Sequence, residues 1–380
     1  MNDDEGPAGG ASSLTGPAYV RHSRTAATED DEVSGRWIAV DESGWDGEQL
    51  YGRSDRHLVL GSIAIDDISA APIVERLRRD AGLTQPPELK FGQFTGTRRD
   101  RLAVLVDLLK PGGVLADKAS VFMVDKHYFV AGKIIDLLLE EHAFNLGHNL
   151  HAGRFARELA RTLFNEGPRA LGQDCFNRLI ATVVNFASMR NRDGSQVNVD
   201  GLFDEIDRAW AQSHRRRVTA ILFDLRTTRL EAASYLHALR DSDPIPTMEP
   251  LIPCLNGVVG DWSAKLGRVS ALVDEQKVFT DERLDQILAV SSWRPGPSGR
   301  YIRMGGDQAA RAIVRGVSRE HPSIQLADLV AGAGREVARR HAGIPSPAGE
   351  QLRNAIVPLI NEHSMVPHDE PGRFANAGTA

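Results

Sequence analysis

The sequence predicts an α/β protein: a mixed sheet flanked by helices, carrying a mostly helical insertion. Three observations predict it. Apolar runs of strand length, "RWIAVDES" (36–43), "HLVLGSIAID" (57–66) and "RVSALVDEQ" (268–276), are bounded by polar or acidic residues. Segments with helical apolar spacing separate and follow them. A middle block, 130–247, is dominated by helical periodicity and breaks at "NRDGSQVN".

Residues 1–34 are rich in Gly, Ala, Ser, Thr and acids, with few large apolar groups, which is the composition of a disordered tail. A loop holding Gly and Asp joins the first two strands and signals a hairpin. "APIVERLRRDAG" (71–82) is a helix stopped by Gly82, and "RRDRLAVLVDLLKPGG" (98–113) is a second, ended by Pro-Gly-Gly. "KASVFMVDK" (118–126) is a third strand. Within the middle block "RVTAILFDL" (217–225) suits either strand or helix. A long helix over 248–267 delivers the chain into the strand at 268–276, and "SIQLADLVAGAGREVARRH" (323–341) is the final long helix. The expected core is therefore discontinuous, 35–129 with 248–342, around a helical insertion or layer at 130–247. The segment 343–380 ends in a flexible tail.

A chain of 380 residues can bury a sizeable core. Its net charge of −6 sits at the ends: residues 1–34 carry −5 and 366–380 carry −1, so the body is neutral. A neutral body neither requires nor excludes a polyanionic partner, and local patches must decide. Cys175 and Cys254 form no metal-ligand spacing and at most one bridge. The acidic opening lacks the apolar run of a secretory signal, and no stretch approaches the roughly 18 apolar residues of a membrane span. The expectation is a cytoplasmic protein without a membrane segment.

Two strands end alike. "WIAVDE" delivers Asp41 and Glu42; "SALVDE" delivers Asp274 and Glu275. Side chains alternate along a strand, so Trp37, Ala39 and Asp41 share one face of the first strand, and Ser270, Leu272 and Asp274 share one face of the other. Neighbouring strands lie about 4.8 Å apart, which would set Asp41 beside Asp274. Two carboxylates that close do not both ionise without a partner. A hard divalent cation such as Mg²⁺ or Mn²⁺, taking oxygen ligands, resolves the conflict. The alternative is that each pair simply ends its strand in solvent.

Asp328 lies among Ile324, Leu326, Ala327, Leu329 and Val330, where an acid is expected to be paired or coordinated. Arg335 is the candidate ion-pair partner. Gln325 and Asp328 share a helical face with Gly332, whose small size permits close approach to the sheet. In "PPELKF" (86–91), Glu88 and Lys90 point the same way if the backbone stays extended. They suit a ligand and a phosphate contact, or a surface ion pair.

The succession "IAVDESG", "ELKF", "VSALVDE", "SIQLADLVAG" resembles the bacterial family catalogued as domain of unknown function 3800, placed in the ribonuclease H-like superfamily. The resemblance covers roughly 36–128 and 248–340. It implies that Asp41 is the first-strand metal ligand, Asp274 the fourth-strand ligand and Asp328 the last-helix ligand, with Glu88 as a fourth acid. Glu42 and Lys90 join them as catalytic candidates. The implied activity is hydrolysis of phosphodiester bonds in DNA or RNA with two ions about 3.5–4 Å apart. Here two helices stand between the second and third strands, where the family has a plain meander.

"SHRRRVTAILFDLRTTRL" (213–230) is the strongest basic segment; 207–229 hold six Arg and two Asp. Arg215, Arg216 and Arg217 are the candidate nucleic-acid contacts, with a solvated helix face as the alternative. Few aromatics interleave them, so single-strand stacking is not indicated. There is no phosphate-binding glycine loop. His142, His148 and His151 lack the helical pattern of a zinc protease and read as solvent-facing. Cys254 reads as core. Two rival functions remain: a non-catalytic nucleic-acid- or protein-binding module of a defence complex, and a metal-dependent phosphoesterase acting on nucleotides.

Overall fold

The computed structural model describes residues 36–52, 55–96, 99–150, 155–241, 246–291, 293–295, 301–303 and 310–367. The tail expected over 1–34, and all but Pro367 of the one expected after 366, lie outside them.

β1 (Arg36–Ser43) and β2 (His57–Ile63) form the expected antiparallel hairpin. α1 (Asp67–Asp80) begins four residues before the expected helix because the Asp66 carboxylate caps it, accepting from Ser69 N at 2.7 Å. α2 is Arg99–Leu109. These two helices do not break the meander. β3 (Ala119–Asp125) returns to pair antiparallel with β2 from His57 to Ile63.

The middle block is helical: α3 (Lys126–Ile134), a π-helical turn (Ile135–Glu140), α4 (Glu141–Asn145), α5 (Phe155–Leu171), α6 (Gln173–Ala187), α7 (Val199–Gln212), α8 (Arg216–Leu225) and α9 (Arg229–Asp241). The ambiguous 217–225 stretch is thus helix: it buries Val218, Ile221, Leu222 and Leu225, a helical stripe. The chain continues through α10 (Leu251–Leu266), β4 (Val269–Asp274), α11 (Asp281–Ser291), a short ribbon of β5 (Trp293–Pro295) and β6 (Tyr301–Arg303), β7 (Ala312–Gly316), α12 (Pro322–His341) and α13 (Pro347–Ile356).

The main sheet runs in the order β3-β2-β1-β4-β7. β4 lies parallel to β1, and β7 parallel to β4, so the sheet is mixed. Strand alternation sorts its faces. Ile38, Val40, Leu58, Leu60, Phe122, Val124, Ala271 and Val273 share one core with Leu163, Leu179, Ile206 and Leu222 of the middle block. The block is therefore a layer against the sheet. Ala39, Val59, Ile63, Val121, Met123 and Leu272 pack with α1, α2, α12 and α13 on the other face.

α12 sits very close to that second face because two glycines allow it. A Cβ on Gly61 would lie 2.3 Å from Ala331 N and 2.5 Å from Ala327 O. One on Gly334 would meet Val121 and Val59. Gly332, expected to face the sheet, instead receives the ring of Phe91, 2.2 Å from where its Cβ would stand. Both cysteines are free and buried, and burial pushes the Cys254 thiol upward. Among the described residues no helix is long and apolar enough to cross a membrane.

Candidate active site

The β1–β4 register sets Ala39 opposite Leu272 and Val40 opposite Val273, so one step further Asp41 stands abreast of Asp274. Both belong to the Ala39/Leu272 face, under α12. On its other side Asp41 pairs with Gly61, the residue that Ala327 and Ala331 of α12 straddle. Asp328, between those two alanines, is thereby brought to the same strand ends. After Glu42 the chain must turn sharply. Gly44 adopts φ +85°, and a Cβ there would lie 2.5 Å from the His57 carbonyl oxygen, which accounts for the glycine in Asp-Glu-Ser-Gly.

The segment carrying Glu88 and Lys90 is held from both ends. Arg78 donates to the carbonyls of Pro86 and Pro87, and Arg101 donates to that of Gln93 at 3.3 Å. Leu89 and Phe94 are fully buried anchors. Phe91 N donates to Asp328 Oδ2 at 2.7 Å, and Lys90 Nζ lies 3.9 Å from Asp328 Oδ1. Arg335 does not pair with Asp328; it pairs with Asp55. Glu88 Oε2 accepts from Ser318 Oγ at 2.7 Å, while Asp274 Oδ1 accepts from Ser318 N at 3.2 Å.

Asp41, Glu42, Glu88, Lys90, Asp274 and Asp328 are thus brought together. Burial drives Asp41 well above the usual carboxylate range, and Glu42, Asp328 and Asp274 add to it. Asp41 Oδ1 accepts from Glu42 N at 2.7 Å, but its buried Oδ2 has no partner. Burial and then Asp274 raise Glu42 from 4.5 to about 7. Burial also raises Asp274 and Asp328, against the pull of Lys90. Burial alone would lower the Lys90 ammonium; Asp41, Asp328, Asp274 and Glu88 outweigh it and raise it. Glu275 is exposed.

The donors are carboxylate oxygens, the set that hard divalent cations take, and Asp41 Oδ2 is a buried acceptor without a donor. The chemistry of the residues fits Mg²⁺ or Mn²⁺. Among the described residues, no three His, Cys, Asp or Glu side chains already stand in a coordinating arrangement.

The other candidates lie elsewhere. Arg215, Arg216 and Arg217 open α8, on the layer covering the opposite sheet face. Arg217 is tied into the fold, to Glu166 at 2.8 Å and to Thr162 Oγ1 at 3.0 Å; Arg226 and Arg229 pair with Asp207 and Asp200. Arg215 and Arg216 are exposed. His142, partly exposed, bonds Glu231 at 2.9 Å, and His148 is exposed; His151 lies outside the described residues. Asp125, at the end of β3, caps α3 through His127 N and Tyr128 N and pairs with Arg56. Compared with protein-family models, curated proteins and solved structures, the chain matches none of them.

The raised acids make a pH prediction. A carboxylate whose pKa is higher folded than unfolded favours the fold below its unfolded value and ceases to do so as pH rises through the folded one. For Glu42 that window runs from 4.5 to about 7 and is worth at most about 3 kcal/mol. In EDTA, the thermal midpoint of the wild type should fall relative to that of Glu42→Gln between pH 5 and 8. Parallel profiles for the two proteins would remove Glu42 from the coupled cluster.

Proposed function

We propose that this chain is a divalent-metal-dependent nuclease that hydrolyses phosphodiester bonds in DNA or RNA, on a ribonuclease H-like core. The observation that carries the reading is Asp41 Oδ2, a buried carboxylate oxygen with no partner beside three further raised acids. Such an arrangement is costly unless a cation completes it. The intact meander of β1, β2 and β3, with β4 parallel to β1 and acids at the ends of β1 and β4 and on the last long helix, is consistent with the resemblance drawn from the sequence.

Asp41, Asp274, Asp328 and Glu88 would hold Mg²⁺ or Mn²⁺. Bound there, the ions supply Lewis acidity toward the phosphate and lower the pKa of water. The chain's own groups do the rest. Lys90, kept charged by the surrounding carboxylates, is placed to offset negative charge developing on the phosphate oxygens. Glu42, next to Asp41, supplies a carboxylate that can take up a proton. Burial of Asp41, paired with Gly61 in the sheet, keeps its own carboxylate from swinging into bulk water.

Purified protein is expected to cut single- or double-stranded DNA or RNA in Mg²⁺ or Mn²⁺ and to stop in EDTA. Replacing exposed Arg215 and Arg216 by Ala should weaken binding similarly across sequences. It should also reduce the salt slope by up to about 0.9 per lost duplex-DNA phosphate contact, with turnover at saturation retained. Salt-sensitive binding without cleavage under any divalent ion would favour the non-catalytic binding module. Cleavage confined to nucleotides would favour the small-substrate phosphoesterase.

A further inference from the structure

The acids at the strand ends come from four separate stretches of chain, and two polar side chains outside the acid set lock these stretches to one another. Gln325, 3% exposed, stands on α12 one turn before Asp328. Its Oε1 accepts from Leu89 N at 2.9 Å, and its Nε2 donates to the Ser318 carbonyl at 2.9 Å. Both atoms of the amide are therefore used, one on the segment of Glu88 and Lys90, the other on the connection between β7 and α12. Ser318, 6% exposed, uses its own N–H and hydroxyl in turn, on Asp274 Oδ1 and Glu88 Oε2. Gln93 completes the brace: its Nε2 donates to Glu88 O at 3.2 Å and its Oε1 accepts from Lys90 N at 3.3 Å.

We propose that Ser318 and Gln325 form a positioning clamp that holds Glu88 near Asp274 and Asp328, from where a divalent cation can draw the three carboxylates together. This deepens the nuclease reading and rests on it. Glu88 is not on the sheet or on α12, and its segment is flanked by prolines and a short 3₁₀ turn rather than by regular structure. Loop-borne ligands are loosely placed unless neighbouring hydrogen bonds hold them. Here the bonds that hold Glu88 run through Ser318 to the neighbouring acid Asp274, and through Gln325 to the helix that carries Asp328. An outer residue that orients ligands typically affects metal affinity or activity about 10–100-fold when lost.

Ser318→Ala removes the hydroxyl with a minimal change of shape, and Gln325→Met keeps the length of the side chain while deleting its amide. Mn²⁺ titrated calorimetrically into the full chain should bind about tenfold or more weakly to either variant than to wild type. kcat on nucleic acid should fall while KM holds, and Ser318→Thr, which restores a hydroxyl, should recover Mn²⁺ affinity. Amide exchange over 88–94 in EDTA should quicken in Gln325→Met, which tests the clamp without metal or activity. Wild-type Mn²⁺ affinity in both Ser318→Ala and Gln325→Met, or unchanged exchange over 88–94, overturns the clamp and leaves the nuclease reading standing. Wild type that takes up no Mn²⁺ overturns the nuclease reading and, with it, the assignment of these residues to a metal.

Discussion

Asp41→Asn is expected to abolish metal-dependent cleavage and, in EDTA, to raise the thermal midpoint. The two signs come from one cause. Asp41 is 4% exposed, and burial and then Glu42, Asp328 and Asp274 all oppose its ionisation. Near neutral pH the metal-free fold must either retain a proton on this carboxyl or tolerate a buried charge with one oxygen unpartnered. Asn keeps the shape, removes the charge and offers an N–H₂ to the neighbouring acids, which gains on the order of 1–2 kcal/mol. The same exchange removes the oxygen best placed to bind a cation, and a loss of several kcal/mol in the transition state is a loss of about 10³-fold or more in rate. Steady-state cleavage and a melt in EDTA check both halves. Turnover equal to wild type would reject Asp41 as a ligand. A lower midpoint in EDTA would mean that an ionised Asp41 is already compensated in the metal-free fold.

The repeated strand ends made much of this legible. Periodicity of two sorted Ala39, Asp41, Leu272 and Asp274 onto one face, and one buried face is what fixes strand register. The apolar setting of Asp328 marked the last helix for the same reason. What was not legible depends on tertiary approach. Nothing local says that Gly61 lies beneath the backbone of α12, because a glycine in a strand is also the mark of a bulge. Gly332 carries the same ambiguity, and it receives Phe91 instead of the sheet. The meander survived α1 and α2 because both pack on one face and leave the β2 edge free for β3. Ser318 offers no pattern at all, since its role comes from the end of β7 meeting the Glu88 segment. Gln325 offers a partial one, three residues before Asp328. The six arginines of 207–229 show the converse: a run that reads as one basic patch is divided by Glu166, Asp200 and Asp207, which lie outside or at the edge of it.

Gly61→Ala should be strongly destabilising, by about 3 kcal/mol or more. The added carbon would stand 2.3 Å from Ala331 N, 2.5 Å from Ala327 O and 2.8 Å from Ala331 Cα, all backbone atoms of α12. No rotamer change can relieve that, so the helix itself must move off the sheet. Gly334→Ala, whose new carbon meets the Val121 and Val59 side chains at 2.8 and 2.9 Å, should cost less because those methyls can shift. Gly132→Ala in α3, with nothing within 4 Å, should instead gain up to about 1 kcal/mol from helix propensity. Ranking the three midpoints therefore separates a backbone clash from a general intolerance of Ala. The site supplies the second readout. Asp328 rides on α12 between the two alanines that straddle Gly61, and Asp41 pairs with Gly61 in the sheet. Lifting the helix separates these carboxylates, so folded Gly61→Ala held below its midpoint should bind Mn²⁺ more weakly than folded Gly334→Ala. A Gly61→Ala protein as stable as wild type would show that α12 does not seat on the sheet at this glycine, and the approach of Asp328 to Asp41 would lose its basis.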